Sequence, residues 1–169
     1  MFYGRYHDLL RQLILDFKFS RRLDLGLLLR TLLAAGYALR NAPEAGEPEV
    51  DSSPELVVPV PLHPTRLLAR GFNQSLELAR ALQPELPVSA TALRRIRPTR
   101  PQTELRREER QANIQGAFAA DPAQIAGRRL LLVDDVMTTG ATVDETCRTL
   151  VSAGAVAVDV LVLARTPES

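Results

Sequence analysis

Cysteine is nearly absent: Cys147 stands alone in 169 residues. A single thiol makes neither an internal disulfide nor a cysteine-based zinc site, and it points to a reducing compartment, so a cytoplasmic location is expected. Histidine is almost as scarce, and His7 and His63 cannot complete a structural zinc site with one cysteine. Each is expected to be an ordinary surface or packing residue. Aromatic side chains make up 5% of the chain, and no base-stacking platform is evident, with Phe72 and Phe118 the nearest candidates. No run of about 18 apolar residues suggests a membrane span, and the opening "MFYGRYHDLLRQL" lacks the basic start and apolar centre of a secretory signal. The Walker pattern, GxxxxGK followed by Ser or Thr, and the dinucleotide pattern GxGxxG are both missing.

What is present suits one globular domain, 46% apolar with a net charge of +1. The charge is unevenly spread. Residues 94–110, "RRIRPTRPQTELRREER", hold seven Arg and three Glu, a local +4, which leaves about −3 for the remainder. Lys18 is the only lysine among 21 basic residues.

Helical spacing of apolar positions runs over 3–19, through Tyr6, Leu9, Leu10, Leu13, Ile14 and Phe17, and a second helix is predicted from Leu23 to Leu39. The acidic, Pro-rich "NAPEAGEPEVDSSPE" (41–55) reads as a solvated linker. "LVVPV" (56–60) predicts a buried strand, "PLHPTRLLARG" a loop, and "FNQSLELARAL" (72–82) a helix. "ATALRRI" (90–96) and "QGAFAA" (115–120) read as short strands. "RRLLLVDD" (128–135), entered from a turn at Gly127, is the clearest strand; a helix follows over Thr142–Ala153, and "VAVDVLVLA" (156–164) is the last strand. Strand, helix and strand over 129–164 make a βαβ unit with strands apolar enough to be covered on both faces. That predicts an α/β fold with a mostly parallel sheet flanked by helices.

The string "LLLVDDVMTTGAT" (130–142) ends a greasy strand in two carboxylates and then supplies three threonines and a glycine. Ligands of parallel sheets sit beyond the carboxyl ends of the strands, where Asp134 and Asp135 fall. "TTGAT" leads into a helix, so free N–H groups and the positive helix end converge there, and Gly140 permits close backbone approach. Hydroxyls of Thr138, Thr139 and Thr142 add donors suited to a phosphate monoester. The carboxylates repel a phosphate but accept hydrogen bonds from sugar hydroxyls, so a phosphorylated ribose satisfies both halves. The blander alternative is a strand end with an Asx turn and a Thr N-cap at Thr139 or Thr142.

These residues resemble the phosphoribosyl pyrophosphate (PRPP) motif of type I phosphoribosyltransferases. "RPQTELRREERQANIQGAF…LLLVDDVMTTGAT" is similar to the transferase domain of glutamine amidophosphoribosyltransferase, without its glutaminase half. "KF", "PVPLHPTRLLARGFNQS" and "R…Q…R…N…GAF" together resemble the competence-associated ComF family more closely still, over roughly residues 55 to 166. The resemblance implies an N-terminal helical hood over 1–41, a linker over 42–55 and a phosphoribosyltransferase-like domain over 56–169. It implies that Asp134 and Asp135 meet the ribose hydroxyls, and that Thr138, Thr139, Gly140, Ala141 and Thr142 hold the 5′-phosphate. Leu62, His63, Pro64, Thr65 and Arg66, with Arg70 and Gly71, correspond to a pyrophosphate loop. Gln102, Arg106 and Arg107 belong to a flexible segment, 97–113, that closes over the ligand and is anchored at its far end by Asn113 and Phe118. A permanently docked surface helix over 103–112 is the competing reading. Asp134, Asp135 and Arg106 are the expected catalytic groups, and Mg²⁺ is expected to arrive with PRPP, with no direct protein cage. ComF-type proteins commonly begin with a cysteine-rich zinc module, which this sequence lacks, through loss or a truncated start.

Two functions are expected to compete. One is transfer of a phosphoribosyl group to a nitrogen acceptor with release of pyrophosphate. The other is a nucleotide- or single-stranded-DNA-binding accessory role in DNA uptake, drawn from the ComF resemblance and the basic segment. A PRPP sensor without catalysis is a third. Expected partners are PRPP or a related phosphoribosyl ligand, single-stranded DNA or DNA-uptake proteins under the second reading, and a second copy of the chain in a homodimer. Membrane insertion is not expected.

Overall fold

The computed structural model describes residues 2–5, 8–19, 22, 24–41, 53–99 and 107–166. Four parallel strands form the main sheet in the order β1-β6-β5-β2, comprising β1 (Phe2–Arg5), β2 (Leu56–Pro59), β5 (Arg129–Met137) and β6 (Ala157–Arg165). β3 (Leu93–Arg95) and β4 (Phe118–Ala120) pair antiparallel as a separate ribbon. The helices are α1 (Asp8–Phe19), α2 (Leu25–Arg40), α3 (Pro64–Arg70), α4 (Gln74–Ala79), α5 (Arg107–Ile114), α6 (Pro122–Ile125) and α7 (Ala141–Ser152).

Alternation along the central strand sorts the core into two layers. Leu130 and Leu132 point to one face and pack with Leu150, Val143, Ile114, Phe118 and Ile125, brought by α7, α5, β4 and α6. Leu131 and Val133 point to the other and pack with Ile14, Phe17, Leu29, Leu33 and Leu78, brought by α1, α2 and α4. Burial on both faces explains why β2 and β5 read as nearly continuous apolar runs. It also explains the helical spacing of α1, whose Ile14 and Phe17 are buried while Leu9 is exposed. In α2, a Cβ on Gly26 would lie 3.3 Å from the Phe17 ring. The two helices therefore approach most closely where a side chain is lacking.

Two expectations are corrected. The helix predicted from residue 3 begins at Asp8, because Phe2–Arg5 add a strand to the sheet with Phe2 opposite Val162. Backbone hydrogen bonding to an open sheet edge outweighs local helical periodicity there. The expected loop "PLHPTRLLARG" contains helix α3. His63 is its N-cap, with Nδ1 accepting from the Thr65 N–H at 3.4 Å, Pro64 opens the first turn, and Gly71 closes it at φ 88° with its N–H on Leu67 O at 2.7 Å. In the basic segment, residues 107–114 are helical with Ile114 fully buried, while 100–106 lie outside the described residues. Arg97 Nη2 donates to Asn113 O at 3.0 Å and Gln115 O at 2.7 Å. Most of the expected linker, 42–52, also lies outside the described residues.

Candidate functional site

The carboxyl ends of β2 and β5 lie side by side, with Pro59 opposite Val133 and Val60 N–H on Val133 O at 2.9 Å. The next two residues of β5 are the paired acids. Asp134 and Asp135 are 7% and 4% exposed. Asp134 Oδ1 accepts from Ser75 Oγ at 2.8 Å and from the Asp135 N–H at 2.9 Å. Burial, then the neighbouring Asp135 charge, pushes the Asp134 carboxyl up to about 7. Asp135 forms an ion pair with Lys18 of α1, whose side chain is 16% exposed.

A cleft of about 280 Å³ opens over these acids. Leu62, Arg66, Arg70, Thr138 and Thr142 line it with the carboxylates, as do Lys18, Gln74 and Arg95. The cleft thus gathers four cationic side chains, Lys18, Arg66, Arg70 and Arg95, against two acids. Gln74 Oε1 accepts from Arg70 Nη1 at 2.5 Å, and the Arg70 guanidinium stands 5.1 Å from the Phe19 ring centroid. Burial holds Arg70 below the usual guanidinium range, partly offset by Asp135. An adjoining concavity is lined by Thr138, Gly140, Ala141 and Thr142, together with Asp134. It lies at the start of α7, a 12-residue helix whose first turn leaves backbone N–H groups without intrahelical partners. The Thr139 hydroxyl is buried and has no hydrogen-bond partner among the described residues.

The structure therefore brings together Leu62, Arg66, Arg70, Asp134, Asp135, Thr138 and Thr142, with Gly140 and Ala141 beside them. The rest of the expected pyrophosphate loop is elsewhere. His63 caps α3, Thr65 is exposed, and Pro64 and Gly71 line a second cavity of about 640 Å³. Gln102 and Arg106 lie outside the described residues, and of Arg107 only the helical backbone is described. Sequence reasoning missed Lys18, Gln74, Ser75 and Arg95 as site residues. The first three fall inside the quoted "KF" and "GFNQS" strings, and Arg95 inside the basic run. Among the described residues no three His, Cys, Asp or Glu side chains converge to hold a metal ion. Two hard carboxylate oxygen donors fit a magnesium ion that draws its other oxygens from a ligand and water.

The phosphoribosyl transferase domain model matches residues 68–169. Competence protein F of Haemophilus influenzae is 34% identical over 168 residues, covering 96% of this chain and 70% of its own. The chain belongs to the phosphoribosyl transferase domain family, in its competence-associated ComF branch. Another ComF-branch relative, DNA utilization protein YhgH of Escherichia coli K12, is 37% identical over 163 residues, or 95% of this chain and 69% of that one. Two solved structures share the fold. The allosteric regulatory enzyme of purine biosynthesis aligns at TM-score 0.52 with 19% identity, over 88% of this chain and 29% of that one. The glutamine PRPP amidotransferase of B. subtilis aligns at 0.53 with 18% identity, over 88% and 30%. No described helix of this ComF protein is long and apolar enough to cross a membrane.

Two tests follow from the local geometry. Gly140 adopts φ 80°, and a Cβ there would make only ordinary contact with the Asp144 carboxylate, 3.6 Å away. Backbone conformation rather than crowding therefore selects glycine. Gly140→Val is expected to cost about 1–3 kcal/mol of stability and to abolish phosphate binding at the loop. Wild-type phosphate affinity in that variant, measured by calorimetry, would exclude the loop as the anion site. The second test concerns pH. Because the folded protein holds the Asp134 proton more tightly than the unfolded chain, stability falls as pH rises from about 4 towards 7 and levels off above. Asp134→Asn keeps an acceptor for Ser75 and removes this dependence. It is expected to gain on the order of 2 kcal/mol over wild type at pH 8 and little at pH 4 in urea unfolding. An equal difference at both pH values would count against a shifted Asp134.

Proposed function

We propose that this ComF protein binds PRPP with Mg²⁺ and transfers the phosphoribosyl group to a nitrogen nucleophile, releasing pyrophosphate. The observation that carries this reading is the single cleft in which two strand-end acids, a threonine loop at a helix start and an excess of cations meet. The loop from Thr138 to Thr142 takes the 5′-phosphate. Asp134 and Asp135 accept hydrogen bonds from the ribose hydroxyls, and the metal, when bound, neutralises charge on the ligand. Arg66 and Arg70 meet the pyrophosphate through guanidinium hydrogen bonds. Gln102, Arg106 and Arg107 close over it from the basic segment. In the reaction a C–N bond forms at the ribose anomeric carbon as the C–O bond to pyrophosphate breaks. The positive charge developing on the sugar lies beside the two aspartates, so positioning and electrostatics do most of the catalysis. The N-terminal helices over 1–41 act as the hood that selects the acceptor. A single cysteine in 169 residues suits a reducing cytoplasm.

A pyrophosphate-release assay over purine, pyrimidine and amine acceptors tests transfer. Release that depends on an acceptor is expected. Tight PRPP binding with no release from any acceptor would leave a sensor in its place. The names of the two relatives favour a second reading, in which the same cleft takes a nucleotide terminus of single-stranded DNA. Under it, affinity for an oligonucleotide falls steeply as salt rises, whereas a flat response excludes contact through these arginines.

A further inference from the structure

The second cavity, of about 640 Å³, has no part in the roles above. It lies between β3 and the wall made by α3 and α4. The hydrogen-bond register decides which edge of β3 this is. The Asp121 N–H donates to Ala92 O and the Ile96 N–H to Ala117 O, each at 2.9 Å, so residues 92, 94 and 96 turn their backbone groups towards β4. The N–H and C=O groups of Leu93 and Arg95 therefore face away from β4, and none has a backbone partner among the described residues. Both residues line the cavity although their side chains are buried, so the open strand edge is itself part of the wall. The rest of the lining is amphipathic. Pro61, Leu67, Phe72 and Leu76 are apolar, and Leu67 and Ile96 stay exposed at the rim. The one acid among the described lining, Glu77, is already paired with Arg30 and Arg80. Arg94, in the middle of β3, is exposed and forms no ion pair among the described residues. An unpaired edge beside apolar surface and uncompensated positive charge is a template for a strand of matching character.

We infer that this groove takes an extended peptide segment of a partner protein, added as a third strand beside β3, in which acidic and apolar residues alternate. The backbone groups of Leu93 and Arg95 supply the main-chain hydrogen bonds, and the side chains supply the selectivity. β3 shows the alternation that the peptide continues, with Arg94 exposed between buried Leu93 and Arg95. Acids in line with Arg94 offset its charge, and the apolar residues between them meet Leu67, Phe72 and Leu76. A second copy of the chain fits less well, because pairing β3 with itself sets Arg94 against Arg94, like charge on like. The inference uses the outer edge of β3 and does not depend on the PRPP reading.

Titration of the intact chain with a capped peptide of alternating glutamate and valine, EVEVEVE, read by amide hydrogen exchange in NMR, tests the groove. Saturable binding is expected, with exchange at the Leu93 and Arg95 amides slowed about tenfold or more and exchange at Arg94, already bonded to β4, unchanged. Arg94→Glu should weaken binding about fivefold or more, since a like charge then faces the acids. The peptide backbone gives a sharper contrast. Valines that point inward lie opposite Leu93 and Arg95, so their amides face β3. N-methylation at the valine amides should abolish binding, and the same change at the glutamate amides should be tolerated. Equal binding by the two methylated peptides overturns strand addition, whether or not the Arg94 variant folds. Failure of EVEVEVE to bind also overturns the proposal. So does a dimer in sedimentation with both amides protected before any peptide is added, which gives the edge to a second copy. Protection by oligothymidylate and not by the peptide gives the groove to nucleic acid instead, and is equally fatal to it.

Discussion

Replacing Lys18 by methionine is expected to destabilise the ligand-free protein by about 3 kcal/mol, and adding Asp135→Asn is expected to restore most of it. Lys18 comes from the end of α1 and pairs with a carboxylate that is 4% exposed. Removing the ammonium leaves that carboxylate buried and uncompensated beside Asp134. Asn at 135 removes the charge while keeping the shape, so the double variant loses only the modest net value of the pair. Urea unfolding of the four proteins measures the coupling directly. Additive losses, with no recovery in the double variant, would mean that α1 is held over the site by packing alone. Packing does contribute: Phe17 meets Phe72 with the rings tilted and their centroids 5.0 Å apart, and Phe19 lies under Arg70. Lys18 and Phe19 of α1 thus touch two cleft residues, Asp135 and Arg70.

The second large effect is on binding. Changing Asp134 and Asp135 together to alanine is expected to lower PRPP affinity by about 100-fold or more, from loss of charge-assisted hydrogen bonds to the ribose. Affinity for inorganic phosphate should hold or rise slightly, because negative charge leaves the neighbourhood of the Thr138–Thr142 loop. Calorimetry with both ligands separates the cases. Equal loss of PRPP and phosphate would assign the pair a structural role.

Much of this site is local in sequence, and that part was legible. A buried parallel strand needs an unbroken apolar run, so "LLLV" followed by two acids marks its own carboxyl end. Gly140 between threonines likewise marks a helix start. The remainder depends on contacts that periodicity does not carry. Ser75 meets Asp134 across 59 positions, and Lys18 reaches Asp135 from α1. Arg95 lies in a run that reads as a solvated basic face, yet its alternation in β3 turns it inward while Arg94 stays exposed. Helix α3 carried its signals openly, a proline in its first turn and a glycine just past its end. The same residues also serve turns, so the sequence alone reads as a loop. The four-residue strand β1 has no pattern long enough to declare itself and is fixed by the edge of β6.

The measurement that bears most directly on the site is titration calorimetry of the intact chain with PRPP and Mg²⁺, on wild type and on Asp135→Asn. Saturable one-site binding by wild type, weakened at least about tenfold by the substitution, is the predicted result. No binding by wild type, or equal binding by both proteins, would contradict a phosphoribosyl site at the end of β5.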